Sequence, residues 1–315
     1  MRANMKKKLF GIILILFCIS SIHSGEVSKK AVTYDLGYGR FGDKMLSYLH
    51  AKWVSYHNNI PLLFKPFPYS KELVMHYKEK RYSNKVLSRY SNIIYPSYQM
   101  TIDYRNSESA LYVIPYFPEC MWEHTPEENY YYLAVDWDDP GFRKELKKMI
   151  KPIQDHKPFI KLPKDRISVA VHVRRGGGFD TPDTAKKIPL KLPPDSYYIE
   201  QIQRIYDIFN GQPLYVYIFT DEKNPLEIVN NYSSIFADMD IKFDCRTSGN
   251  SHRSNVLQDF FEMTRFDCLI RPDSNYSIVA SKIANYKVII SPVHAIKTDE
   301  MIYVDEIAVT YPPNL

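Results

Sequence analysis

Apolar residues in the second half of the chain alternate between continuous runs and stretches with helical spacing. Four continuous runs predict strands: 167–173, 214–219, 268–270 and 288–290. Three stretches with apolar residues three or four positions apart predict helices: 195–209, 256–266 and 277–285. The run at 167–173 is rich in β-branched residues, which is typical of a parallel strand buried on both faces. The alternation therefore predicts a doubly wound α/β domain.

The first half of the chain is less regular but begins with the same kind of unit. Its apolar patterning predicts strands at 31–34, 61–64 and 112–117, and helices at 44–56, 70–79, 83–91 and 140–153. Three prolines and many charges interrupt 151–166, as expected of a linker. We therefore predict two Rossmann-like α/β domains, an N-terminal one over 25–160 and a C-terminal, doubly wound one over 161–315.

The first 24 residues have a pattern of their own. Four basic residues and no acid precede a 14-residue apolar run at 9–22. A basic segment, an apolar run and a small residue at the cleavage point are the marks of a secretory signal peptide. The run is shorter than the roughly 20 residues that span a bilayer. An uncleaved signal anchor, which would place the protein on a membrane, is the alternative.

Composition and charge limit the classes of partner. The chain has 315 residues, of which 45% are hydrophobic and 24% charged, as in an ordinary globular protein. Its formal charge is +5, but without the four basic residues of the N-terminal segment there are 37 Lys and Arg against 36 Asp and Glu, a charge of +1. This balance lacks the basic excess of a polyanion-binding protein, so we expect no nucleic-acid partner. The cysteines form no CxxC pair, which argues against a thiolate zinc site.

Glycine marks two loops. The chain has only 11 glycines, and six of them fall in two short segments: Gly37, Gly39 and Gly42, and then Gly176, Gly177 and Gly178. Glycine permits unusual backbone angles and lets a backbone approach a ligand closely. These two loops are therefore the first candidates for a functional site.

The second glycine loop directly follows the run at 167–173. Ligands of open α/β sheets bind at the carboxyl ends of strands, where this segment delivers His172, Arg174 and Arg175. Two guanidinium groups beside glycine N–H groups suit clustered anionic oxygens, above all a diphosphate. The alternative is that both arginines form surface salt bridges on a loose turn.

The sequence HVRRGGGFD at 172–180, taken with YGRFGD at 38–43, resembles the GDP-fucose-dependent fucosyltransferase superfamily. This superfamily includes α-1,2-, α-1,6- and protein O-fucosyltransferases, which have an HxR or HxRR element ending a strand and often a G-R-[LF]-G-N segment near the start. Two further blocks, at 217–222 and 257–277, are similar to the family's Ser/Thr-Asp strand end and to its D-x-x-x-M segment with a Ser-rich turn. The blocks occur in family order. Asp43 and Lys44 stand where the family usually has Asn and then Gln or His.

The resemblance implies an α/β fold of two Rossmann-like domains, a GT-B type glycosyltransferase that is inverting and metal-independent. Such an enzyme moves fucose from GDP-fucose, its donor substrate, to a hydroxyl of a glycan or glycoprotein, and it needs no cofactor. Arg174 would stabilise the departing GDP, and Asp180 and Asp183 are the candidates for the base near the acceptor hydroxyl. The residues implied in donor binding are Arg40, Gly42, His172, Arg174, Arg175, Asp221, Asp259, Ser274, Asn275, Tyr276 and Ser277.

Two other functions are compatible with the sequence. A metal-dependent glycosyltransferase could bridge a divalent ion and a diphosphate through Asp136-Trp-Asp138 or Asp238-Met-Asp240. A non-catalytic secreted relative could bind carbohydrate or protein through some of the 26 tyrosines. In that case the Asp at position 43, where the family usually has Asn, would go with a loss of catalytic activity.

The expected signal peptide favours a location in the ER or Golgi lumen or secretion, and in the cell envelope or export if the source is bacterial. The sequence does not specify the acceptor, the linkage or the oligomeric state.

Overall fold

The computed structural model describes residues 30–37, 39–96, 109–115, 135–155, 157–175, 182–298 and 301–312. The expected signal peptide at 1–24 lies outside these residues, and so do Gly176, Gly177, Gly178 and Asp180. Within the described ranges, no helix combines the length and apolar character needed to cross a membrane.

The C-terminal half is built on a six-stranded sheet. Its strands are β6 (Ile167–Val173), β7 (Leu214–Thr220), β8 (Ile241–Cys245), β9 (Cys268–Ile270), β10 (Val288–Lys297) and β11 (Ile302–Thr310). They lie in the order β11-β10-β9-β6-β7-β8, and every neighbouring pair is parallel except β10 with β11. Numbered from β6, this is the 3-2-1-4-5-6 order, in which the direction of winding reverses between β6 and β9.

Helices cover both faces of this sheet. They are α5 (Pro182–Lys187), α6 (Asp195–Ile208), α7 (Pro225–Ile235), α8 (Val256–Met263) and α9 (Asn275–Ile283). Val169, Val171 and Val173 face one hydrophobic cluster, to which α6 and α7 contribute, whereas Ala170 faces another, to which α8 and α9 contribute. Burial on both faces explains why β6 is apolar at nearly every position.

The N-terminal half contains two smaller parallel sheets. One has the order β1-β5-β4, formed by Lys30–Tyr34, Ala110–Ile114 and Asn92–Ile94, and the other pairs β2 (Leu63–Phe64) with β3 (Lys80–Arg81). The helices are α1 (Phe41–Asn58), α2 (Met75–Lys78), α3 (Asn84–Leu87) and α4 (Pro140–Met149), with a 3₁₀ turn at Ser70–Glu72. One hydrophobic cluster runs from α1 and β1 into α8 and α9, so the two halves share a core.

The mixed α/β class is confirmed, and strands β6 and β9 have the predicted bounds. The predicted helices at 70–79 and 83–91 are wrong in length. A 3₁₀ turn at Ser70–Glu72 and the one-turn helix α2 form in the first place, and the one-turn helix α3 forms in the second. Six of the described elements were not predicted: β3, β4, α5, α7, β8 and β11. Strand β8 lies at the edge of the sheet and alternates exposed Lys242 and Asp244 with more buried neighbours, so it lacks the continuous apolar run of its inner neighbours.

Candidate functional site

The reversal of winding between β6 and β9 creates a crevice at the carboxyl ends of these two strands, which is where open α/β sheets bind ligands. From β6 the chain delivers His172 and Arg174 to this crevice. From β9 it delivers Arg271 and then Ser274, the residue that caps α9. Three of these four residues were predicted from the sequence, and Arg271 was not.

His172 is fixed by Ser277. Its Nδ1 lies 2.9 Å from Ser277 Oγ, and that hydroxyl donates to the Ser274 carbonyl oxygen at 3.2 Å. Because the hydroxyl proton is used in this way, we assign the imidazole proton to Nδ1 and the lone pair to Nε2. Burial, together with the charges of Arg174 and Arg271, lowers the pKa of His172 to about 4, although Asp221 opposes the shift. The imidazole is therefore neutral at physiological pH and can accept a hydrogen bond at Nε2.

The two arginines after β6 have different surroundings. The Arg175 backbone N–H donates to Asp221 Oδ1 at 2.9 Å, which ties the end of β6 to the end of β7. The Arg175 guanidinium pairs with Asp195 at the start of α6, and the Tyr232 hydroxyl donates to the same carboxylate oxygen at 2.8 Å. Arg175 is thus held by the α6–α7 side of the sheet, and Arg174, half-buried beside His172, is the arginine better placed for a ligand in the crevice.

The glycine segment before α1 forms a tight N-terminal cap. Asp43 Oδ2 accepts from the Arg40 backbone N–H at 2.7 Å, which satisfies one of the unpaired donors of the helix. Gly39 makes room for this carboxylate, since a Cβ there would collide with the Asp43 side chain. Lys44 Nζ donates to the carbonyl oxygens of Leu36 at 3.0 Å and Gly37 at 2.5 Å. The Arg40 side chain is exposed at this cap.

The same cap touches the N-terminus of α9. A Cβ on Gly42 would lie 2.7 Å from the Tyr276 Cα, so the backbones of α1 and α9 approach each other as closely as only glycine allows. The Asn275 side-chain amide donates to Asp43 Oδ1 at 2.8 Å. Both oxygens of Asp43 are therefore engaged, one within α1 and one across the two halves of the protein.

An aromatic side chain of α9 and a half-buried ion pair on α8 support the crevice. Tyr276 lies 5.6 Å from the His172 ring centroid, and its hydroxyl donates to the Val256 carbonyl oxygen at 2.7 Å. On the next turn of α8, Asp259 accepts from Arg246 at 2.6 Å. Burial raises the pKa of Asp259, whereas Arg246 opposes the rise.

Of the residues predicted to bind the donor, nine surround the ends of β6, β7, α8 and α9: Gly42, His172, Arg174, Arg175, Asp221, Ser274, Asn275, Tyr276 and Ser277. Asp259 lies near Tyr276, and Arg40 projects from the adjoining cap. Of the two candidate bases, Asp183 is exposed on α5, and Asp180 lies outside the described residues.

The two D-x-D segments have local partners. The Asp136 carboxylate accepts from the Asp138 backbone N–H at 3.0 Å, as in an Asx turn before α4. Asp240 pairs with Arg166 at 2.6 Å in the loop before β8, at the end of the sheet opposite the crevice. Among the described residues, no group of three or more His, Cys, Asp or Glu side chains is placed to hold a metal ion.

Comparison with solved structures shows a shared fold. A mutant of Arabidopsis thaliana FUT1 in complex with GDP matches with a TM-score of 0.50 and 13% identity, over 84% of this chain and 71% of that one. Fucosyltransferase NodZ from Bradyrhizobium matches with a TM-score of 0.44 and 12% identity, over 90% of this chain and 99% of that one. POFUT1 in complex with GDP-fucose matches with a TM-score of 0.43 and 12% identity, over 84% and 96%. All three are fucosyltransferases. No protein-family model and no curated protein matches the sequence.

Proposed function

We propose that the protein is a GT-B type glycosyltransferase with two Rossmann-like domains, which transfers fucose from GDP-fucose to a hydroxyl of a glycan or glycoprotein. The observation that carries the proposal is the arrangement of Arg174, neutral His172 and the α9 N-terminus around the point where the sheet reverses its winding. The FUT1 structure, which shares this fold, is a complex with GDP and supports the same class of donor.

The reaction that fits these residues is an inverting displacement. The acceptor hydroxyl oxygen forms a bond to fucose C1 as the bond between C1 and the diphosphate oxygen breaks, and negative charge develops on the departing GDP. Arg174 and the first-turn N–H groups of α9 can stabilise that charge without reorganisation. These donors could act without a metal. A carboxylate must accept the hydroxyl proton, and Asp180 and Asp183 are our candidates.

The nucleoside would be held beside the diphosphate. His172 accepts through Nε2, and Asp221 at the end of β7 would lie near the ribose. One carboxylate oxygen of Asp259 accepts from Arg246, and the other would accept hydrogen bonds from the N–H groups of guanine. The exposed Arg40 would approach the donor from the N-terminal domain, whose boundary with the C-terminal domain we place at 160 and 161. The expected signal peptide favours action in the secretory lumen, on exported acceptors.

The proposal is tested by GDP release from GDP-fucose. The purified protein is incubated with a panel of glycan and glycoprotein acceptors in excess chelator. We expect acceptor-dependent release of GDP with unchanged rate in the chelator. Tight GDP binding with no release for any acceptor would favour the non-catalytic alternative, and activity that needs a divalent ion would favour the metal-dependent one.

A further inference from the structure

Arg271 follows β9 directly and has no part in the function proposed above. Among the described residues, its guanidinium makes one hydrogen bond, from Nη1 to the carbonyl oxygen of the adjacent Pro272 at 3.2 Å, and its solvent-shielded Nε has no hydrogen-bond partner. Within the same residues it forms no ion pair. Burial lowers the pKa of Arg271, and the charge of Asp273 opposes this shift.

The other arginines of this half differ from Arg271. Four of them pair with a carboxylate: Arg166 with Asp240, Arg175 with Asp195, Arg246 with Asp259 and Arg265 with Glu262. In the N-terminal half, Arg143 is buried and forms no such pair with a described residue, but it donates at 3.1 Å to the Ala284 carbonyl oxygen at the C-terminus of α9, where the helix dipole is negative. The charge of Asp273 acts on the half-buried Arg271, but the two side chains form no ion pair. A guanidinium that is largely desolvated and not paired with a carboxylate destabilises the fold, so its presence calls for a ligand.

The sheet register brings Arg271 into the crevice. Strands β6 and β9 pair Val171 with Ile270, so the next residues along, His172 and Arg271, lie side by side. Residues paired across a sheet project from the same face. The charge of Arg271 acts on His172 together with that of Arg174, which agrees with this placement. The charges of two cationic side chains, Arg174 and Arg271, therefore act on the imidazole.

The edge of the Arg271 guanidinium that carries Nε–H and Nη2–H indicates which chemical class of ligand it can bind. Nη1 is used by Pro272, which leaves Nε–H and Nη2–H, two parallel donors on one side of the planar group. This fork matches two oxygens of one phosphate or carboxylate group. We propose that Arg271 binds the diphosphate of the donor through this edge, opposite Arg174, so that two arginines from the neighbouring strands β6 and β9 hold the anionic group. This proposal rests on the function proposed above.

The test is calorimetric binding of GDP, guanosine and inorganic pyrophosphate to the full chain and to Arg271→Met. The methionine keeps the apolar stem and removes the donors. We expect GDP and pyrophosphate to bind about tenfold to a hundredfold more weakly and guanosine to bind as before. The ligand-free melting temperature should stay the same or rise, because a half-buried charge that forms no ion pair is gone. Arg271→Lys, with a point charge in place of the fork, should recover only part of the affinity.

Arg265→Met is the matched control. Arg265 precedes β9, at the opposite end of the strand, and donates to Glu262 and to the Ile160 carbonyl oxygen at 3.2 Å. This variant should lower the melting temperature and leave binding of all three ligands unchanged. A lower ligand-free melting temperature for Arg271→Met, with equal weakening of GDP and guanosine, would mean that Arg271 is structural and would overturn the proposal.

The two proposals fail in different ways. A wild-type protein that binds GDP, with the same affinity in Arg271→Met, would overturn only the role of Arg271. A wild-type protein that binds pyrophosphate but shows no preference for GDP over other nucleotides would overturn only the choice of donor, and pyrophosphate should still weaken in Arg271→Met. Failure of the wild-type protein to bind either GDP or pyrophosphate would overturn both.

Discussion

The Asn275 side-chain amide donates a hydrogen bond to Asp43 Oδ1 across 232 positions of sequence, at 2.8 Å. It joins the first turn of α1 to the first turn of α9, at the mouth of the crevice that holds His172 and Arg174. Asp43, one of the two residues at which this chain departs from the fucosyltransferase pattern, is therefore a structural link between the two halves. This finding gives Asp43 a function that does not depend on turnover.

Loss of the Asp43 carboxylate should destabilise the fold. Asp43→Ala removes the bond to Asn275 and the cap on Arg40, and we expect a loss of about 1–3 kcal/mol in the free energy of unfolding. Asn275→Ala should cost less, because it removes only the cross-link. Urea unfolding of both single variants and the double variant isolates the coupling, expected at about 0.5–1.5 kcal/mol. Additive losses would contradict a direct bond.

The close approach of α1 and α9 predicts strong sensitivity at Gly42. Gly42→Ala should destabilise the fold by about 1–3 kcal/mol, because the added methyl group meets the α9 backbone, which cannot move aside. Gly141→Ala is the control, since it also lies in the first turn of a helix and the nearest contacts of its Cβ would be side-chain atoms, the hydroxyl of the exposed Tyr56 and, at 3.3 Å, Asp139 Oδ1. Equal thermal melts for the two variants would contradict this packing.

Substitutions of the two adjacent arginines should have different effects, one on catalytic activity and the other on stability. Arg174→Ala should lower GDP release from GDP-fucose by about a hundredfold or more, with little change in melting temperature. Arg175→Ala should cost about 1–2 kcal/mol of stability, because Asp195 then keeps Tyr232 but loses its cationic partner. Rates and thermal melts measured on both variants test this contrast, and a fully active Arg174→Ala would reject the site assignment.

His172 should make stability depend on pH. Its folded pKa of about 4 lies below its ordinary value of 6.5, so the unfolded chain takes up the proton first as pH falls. Between pH 6.5 and pH 4, protonation linked to His172 should lower the free energy of unfolding by about 3 kcal/mol. Above pH 6.5 the contribution of His172 to the free energy of unfolding should be fully present.

Urea unfolding at several pH values in this window measures the slope of the free energy of unfolding against pH. His172→Gln should flatten it, whereas His57→Gln, at an exposed position, should leave it unchanged. The pKa of buried His76 is also lowered, so some slope should remain in both variants. Identical slopes for wild type and His172→Gln would contradict a buried neutral imidazole.

Much of the fold could be predicted from local pattern, because buried parallel strands such as β6 carry a continuous apolar run. The edge strand β8 could not, since Lys242 and Asp244 face solvent. In the site, the glycines and arginines after β6 could be predicted, because they cluster directly after an apolar run. The roles of Arg271 and Asp195 depend on sheet register and on side-chain partners distant in sequence, and a single sequence does not specify these.

We propose that the crevice between β6 and β9 takes GDP-fucose. This is tested most directly by calorimetric binding of GDP, UDP, CMP and ADP to the purified protein under identical conditions. We expect GDP to bind most tightly and Arg174→Ala to weaken this binding. Preference for UDP, or equal affinity for all four nucleotides, would contradict it.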